Sequence, residues 1–150
     1  MSICDSNPLP RLIYLTSIEL QAHADEVLRP YELTLEQFHP LKIILLEGGA
    51  VGQSSLCGLA AKTPANMTRI LDRLAAKNFI ERRPDPLDRR AFIIHLTPAG
   101  EKLVNEVAEL FAGYLNKIVM NGINRDDEEC CRRVLKQIND NLSRITPDAV

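Results

Sequence analysis

Residues Pro64 to Thr97 read PANMTRILDRLAAKNFIERRPDPLDRRAFIIHLT, and the hydrophobic period changes once within them. Up to Lys77 the apolar residues recur at helical spacing. Wound at about 100° per residue, Met67, Ile70, Leu71 and Leu74 fall on one side, the expected core side. After Asn78 the period becomes that of a strand, in Phe79–Arg83 and again in Ala91–Leu96, where Phe92, Ile94 and Leu96 share a face. The residues between, Pro84-Asp85-Pro86-Leu87-Asp88, form a proline-stiffened turn with an arginine pair on either side. The stretch therefore reads as a helix followed by a β-hairpin with a basic tip.

The charge of that tip stands out against the whole chain. The 150 residues carry a formal net charge of −2. From Lys62 to Arg90, however, eight basic residues face four acidic ones, so this segment is +4 and the remainder −6. A local basic patch on an acidic body points to an anionic partner that docks at one place. Apolar content of 45% and charged content of 25% are those of a globular chain long enough for one domain with its own core. No apolar run approaches the roughly 20 residues that span a bilayer. The first residues, MSICDSNPLPRL, lack the basic-then-apolar layout of a signal peptide. The expectation is a cytoplasmic protein with no membrane contact, whose cysteines are thiols.

Prolines punctuate the rest. Asn7-Pro8, Thr63-Pro64 and Thr97-Pro98 each pair a capping residue with a proline and precede a helix-period run, so each marks a helix start. A first helix is expected from about Pro8 to Leu28, stopping before Pro30. A second follows Thr34 and ends at Gly48-Gly49, with a kink at Pro40. A short third helix is SSLCGLAAK, and the fourth is PANMTRILDRLAAK. After the hairpin, a long helix runs from Pro98 to about Met120 and a last one from about Asp126 to Arg144. The expected class is mainly α with a small β-hairpin wing, in the order α-α-α-α-β-β-α-α.

A short helix, a tight Thr-Pro junction and a further helix together read as helix-turn-helix. The side of the fourth helix opposite its core residues holds Ala65, Thr68, Arg69, Asp72, Arg73 and Ala76, with Asn66 at its edge. Small residues let a backbone approach a surface, a threonine or alanine methyl can touch a thymine methyl, and arginine reaches guanine edges or phosphates. The start of the third helix, Ser54 and Ser55, is placed to meet a DNA phosphate. Arg89 and Arg90 on a rigid tip suit a minor groove, and Asp88 suits a tie to the turn backbone or to a neighbouring arginine. The expected partner is double-stranded operator DNA.

These residues resemble the MarR family of bacterial winged-helix regulators. The family's wing pattern, Asp-x-Arg and then, five residues on, Leu-Thr, is met by Asp88, Arg90, Leu96 and Thr97. Its recognition-helix pattern is met by TRILDRL, Thr68 to Leu74, and by Ile80-Glu81-Arg82 after a lysine-containing turn. LTLEQF, Leu33 to Phe38, continues the likeness upstream. The resemblance implies a homodimer with interlocked terminal helices on a pseudo-palindromic operator, a repressor released by a small molecule or an oxidant. The single domain 1–150 would then divide into a winged part at about 33–97 and a dimerisation part at about 8–30 and 98–145. Apolar faces on the last two helices in excess of one small core agree with a dimer.

For release, a small aromatic or phenolic effector is the first expectation; His39, between Phe38 and Pro40, is a candidate pocket residue, with a half-buried packing role the reading favoured over it. A thiol switch is the alternative. The resembling branch that senses hydroperoxides uses a cysteine in the first helix, yet LIYLTSIEL has none, and Cys4 lies upstream. Cys130 and Cys131 at the start of the last helix leave open a two-cysteine version with Cys4. Cys57 reads as a packed residue. His23, His39 and His95 are scattered without paired helical spacing, so neither metal nor cofactor is expected. GGAVGQSS, Gly48 to Ser55, lacks the lysine of a phosphate loop and follows a helix rather than a strand; it reads as a turn, and no enzyme chemistry is expected. A winged helix used only for protein contacts would differ by lacking salt-dependent DNA affinity.

Overall fold

In the computed structural model, which describes residues 6–145, α1 (Leu9–Leu28) is followed by a 3-10 turn (Arg29–Tyr31) and α2 (Leu35–Leu46). Then come β1 (Ala50–Gly52), α3 (Gln53–Leu59), α4 (Pro64–Ala76), β2 (Ile80–Pro84) and β3 (Phe92–Leu96). The chain closes with α5 (Pro98–Tyr114), a π-helical turn (Leu115–Val119) and α6 (Arg125–Ser143). No helix among the described residues is long and apolar enough to cross a membrane.

The expected order lacked one element. GGAVGQSS is not merely a turn: Ala50–Gly52 is a strand, making a three-stranded antiparallel sheet in the order β1-β3-β2. Three residues between glycines are too few to show a period. Their pairing is decided by β3, whose Ile93 to His95 stand opposite Gly52 to Ala50, and Leu96 N donates to Gly49 O at 2.8 Å. Gly48 and Gly49, at φ of 85° and 91°, make the left-handed exit from α2 that turns the chain into this strand. Helical hydrogen bonding in α2 continues on both sides of buried Pro40.

Two of the three proline-marked starts are capped by the expected threonine. Thr63 Oγ1 accepts from Asn66 N at 3.3 Å, and Thr97 Oγ1 accepts from Gly100 N at 3.0 Å while donating to Asn78 O at 2.7 Å. At the first start the cap position is Pro8, not Asn7, and no side chain caps it. Thr34 begins α2 with Gln37 Oε1 accepting its backbone amide at 3.2 Å.

The chain divides into two units, one up to Phe111 and one from Ala112. The core of the first contains Met67, Ile70, Leu71 and Leu74 from α4, the side expected from the sequence. They pack with Leu28 of α1, Leu41 and Ile44 of α2, Leu56 of α3, Ile94 of β3 and Val104 and Val107 of α5. The second unit holds α6, none of whose residues is buried. Pairs at i,i+4, Arg125–Glu129, Arg132–Glu128 and Lys136–Asp140, support that helix along one side. Its apolar residues Val134, Leu135 and Leu142 remain exposed.

Candidate nucleic-acid interface

Burying Met67, Ile70, Leu71 and Leu74 forces the other side of α4 outward. Ala65, Thr68, Arg69, Asp72 and Arg73 are all exposed there, while Asn66 is half-buried, its amide donating to Glu36 Oε1 at 3.5 Å. Neither Arg69 nor Arg73 has a hydrogen bond or ion pair among the described residues, so both guanidiniums can serve an external anion. The hydroxyl of Thr68 is spent internally, donating to Pro64 O at 2.9 Å and accepting from Gln53 Nε2 at 3.3 Å. Only its methyl is left outside these hydrogen bonds.

The hairpin separates its four arginines into two kinds. Arg82 donates to Asp72 Oδ1 at 2.5 Å and to Thr68 O at 3.2 Å. Arg83 holds Glu81, with Nη2 2.9 Å from Oε2. Arg89 and Arg90 are exposed, with no side-chain partner among the described residues. Of the four arginines around the turn, the two at the tip are the ones left without a side-chain partner among the described residues.

What fixes those two is a pair of aspartate-braced turns. Asp85 Oδ1 accepts from Leu87 N at 2.8 Å and Asp88 Oδ1 from Arg90 N at 2.9 Å. Backbone bonds Asp85 N→Ala91 O at 3.0 Å and Ala91 N→Asp88 O at 2.9 Å close the loop. Asp88 thus orders the turn backbone rather than pairing an arginine. The role of Asp85 was not singled out from the sequence, although an aspartate two residues before a loop amide is the pattern that would have shown it.

Ser54 and Ser55 are exposed on the first turn of α3 and line, with Arg90, Asp85 and Phe92, an open groove of about 450 Å³. The groove brings the helix start and the wing root together, a juxtaposition with no signature along the chain.

A second groove, about 260 Å³, is lined by Gln21, Leu35, Glu36, His39 and Lys62. His39 is exposed as a residue, while its imidazole is partly shielded from solvent. Partial burial, then the charges of Lys62 and Lys42, hold its imidazole below the ordinary value. Glu36 is also held low, chiefly by the hydrogen bond from Lys62 Nζ at 2.8 Å, against the opposing effect of burial. Cys57 is half-buried, Cys130 and Cys131 are exposed, and Cys4 lies outside the described residues. Cys130 and Cys131 lie in the second turn of α6, which begins at Arg125, and so do not open the helix as expected.

Comparison with known proteins agrees with this geometry. Residues 33–92 match the model of the MarR family. The multiple antibiotic resistance protein MarR of Salmonella typhimurium is 29% identical over 131 residues, 87% of this chain and 90% of that protein. The transcriptional repressor NicR of Pseudomonas putida is 34% identical over 92 residues, 57% of this chain and 58% of its own length. A crystal structure of an E. coli MarR mutant complexed with operator DNA matches with a TM-score of 0.81 at 27% identity, covering 87% of this chain and 93% of that one. With its winged sheet, its exposed α4 side and the match over residues 33–92, the chain carries a MarR-family domain and is similar along most of its length to MarR transcriptional regulators.

Proposed function

We propose that this regulator binds a pseudo-palindromic operator as a homodimer, and acts in the cytoplasm as a repressor that a small aromatic acid or phenol releases. The observation that carries the reading is the pairing of an α4 side bearing Ala65, Thr68 and unpartnered Arg69 and Arg73 with a braced tip bearing unpartnered Arg89 and Arg90. Helix and tip together suit a major and an adjacent minor groove. Ser54, Ser55 and Arg90 around one groove suit the phosphates between. Residues 33–97 then form the DNA-binding part, and 8–30 with 98–145 the dimerisation part. The operator complex of the E. coli relative and the repressor name of the Pseudomonas putida relative support the role. For the effector, the small groove lined by Leu35, His39 and the Lys62–Glu36 pair is the candidate site.

The test is selection of duplexes from a random pool, followed by affinity against salt. Half-sites about one helical turn apart, ~10 bp, are expected, with affinity falling steeply as salt rises. Arg90→Ala should weaken binding by at least ~10-fold, on the order of 1–3 kcal/mol. Arg83→Ala, which removes an arginine already paired to Glu81, should cost far less. Near-parental affinity of a folded Arg90→Ala protein would overturn the wing assignment. Failure to select any duplex would leave a winged helix that makes protein contacts only.

A further inference from the structure

DNA binding through a helix and a wing needs the two held in register, since each must meet its own groove at once. We infer that Arg82 is a positioning residue that clamps the wing strand β2 to the DNA-facing side of α4. The inference rests on the DNA-binding reading above.

The geometry is that of a fork closing on one helix ridge. Arg82 stands opposite Ile94 in the sheet, and its side chain is only 26% exposed. From there Nη1 donates to Asp72 Oδ1 at 2.5 Å and Nη2 to the backbone carbonyl of Thr68 at 3.2 Å. Thr68 and Asp72 are one turn apart on the exposed side of α4, the side that carries Arg69 and Arg73. A planar guanidinium spans two such acceptors where an ammonium would reach one. Gln53 of α3 meets the same turn from the other side, through Thr68 Oγ1. Three elements are therefore tied at Thr68, and the tie to the wing is Arg82.

Asp72 makes the inference separable from simple charge counting. A carboxylate on a surface that meets phosphates repels them, so charge alone says that Asp72→Asn should tighten DNA binding. The clamp says the reverse, because the same substitution exchanges the charged acceptor of Arg82 for a neutral amide, which holds a guanidinium less tightly and brings an NH2 donor against it.

The experiment uses the full chain, a duplex selected by the parent protein from a random pool, and a random-sequence duplex of equal length. Asp72→Asn, Arg82→Gln and Arg82→Lys are compared with the Asp72→Asn/Arg82→Gln double variant, each checked for parental circular dichroism. A clamp requires that all three single variants lose at least ten-fold in affinity for the selected duplex and less for the random one. It also requires that the double variant be no worse than the weaker single, because both remove one interaction. Without DNA, the amides of α4 should exchange faster in Asp72→Asn and Arg82→Gln than in the parent. Parental or tighter binding by Asp72→Asn, additive losses, or full activity of Arg82→Lys would overturn the clamp. If the parent selects no duplex, the DNA-binding reading fails with its positioning role, and the exchange rates alone then report whether Arg82 ties β2 to α4.

Discussion

Gly100 lies against the backbone of Phe79 so closely that a β-carbon on Gly100 would come within 2.1 Å of the Phe79 carbonyl oxygen. The same carbonyl accepts from Thr97 N at 3.1 Å, so the loop after α4, the end of β3 and the start of α5 converge on one point. The obstructing atom is backbone and cannot rotate away. Gly100→Ala should therefore displace α5 at its root, destabilising by roughly 1–3 kcal/mol or more, as overpacking of a closed site does. Thermal unfolding should show a lower midpoint by several degrees, and a midpoint equal to the parent's would show that the junction yields.

Gly100 also marks where sequence reading stops. Thr97-Pro98 announced the helix, and Thr97 caps it, because capping is a local matter of one hydroxyl and one amide. The core side of α4 was legible for a similar reason, since Met67, Ile70, Leu71 and Leu74 share a period. The closeness of Gly100 to Phe79 depends on two segments meeting, and β1 depends on β3 lending its second edge. The arginines are the sharper case. Arg89 and Arg90 stand out along the chain as the tip pair, but only the fold puts Asp72 beneath Arg82 and Glu81 beside Arg83.

Acid should act on the first unit in two stages. Partial burial and the charges of Lys62 and Lys42 lower the His39 value from 6.5, so the folded chain takes up this proton less readily than the unfolded chain. Stability must then fall as pH drops below 6.5. Glu36 is lowered from 4.5 chiefly by its bond from Lys62; its stabilising contribution is present above that value and is lost as pH falls through the folded one. Melting temperatures from pH 8 to 3 should show His39→Gln flattening the first decline. Glu36→Gln should start lower at neutral pH and converge on the parent in acid. A constant offset between Glu36→Gln and the parent at every pH would contradict the pairing with Lys62.

Assembly can be tested through the apolar side of α6. Val134 is 40% exposed, Leu135 39% and Leu142 59%, with no fully buried residue on the helix. A monomer leaving these open would be prone to aggregation. Val134→Glu with Leu135→Glu should yield monomers in analytical ultracentrifugation and lose operator binding, and deletion from Asn124 onward should do the same. A dimer that survives both changes would place the interface elsewhere, and a monomer that holds the full operator at parental affinity would remove the need for one.

Release separates the ligand reading from the thiol one. Cys130 and Cys131 are exposed and adjacent on α6, and Arg133 Nη2 donates to Cys130 Sγ at 3.5 Å. Consecutive helical positions point about 100° apart, so these two cannot close on each other without unwinding the helix, and a disulfide would need a cysteine from elsewhere. A wedge at the groove beside His39 needs no thiol. It acts if the ligand binds one spacing of the recognition helices better than the other, by about 5.5 kcal/mol for a complete switch. The expected outcome is that a variant with all four cysteines changed to serine binds the selected duplex like the parent. Organic hydroperoxide should leave both bound, and a panel of aromatic acids and phenols should include one that releases both. If hydroperoxide frees the parent and the serine variant stays on the DNA, the cysteines are the switch and the ligand reading falls.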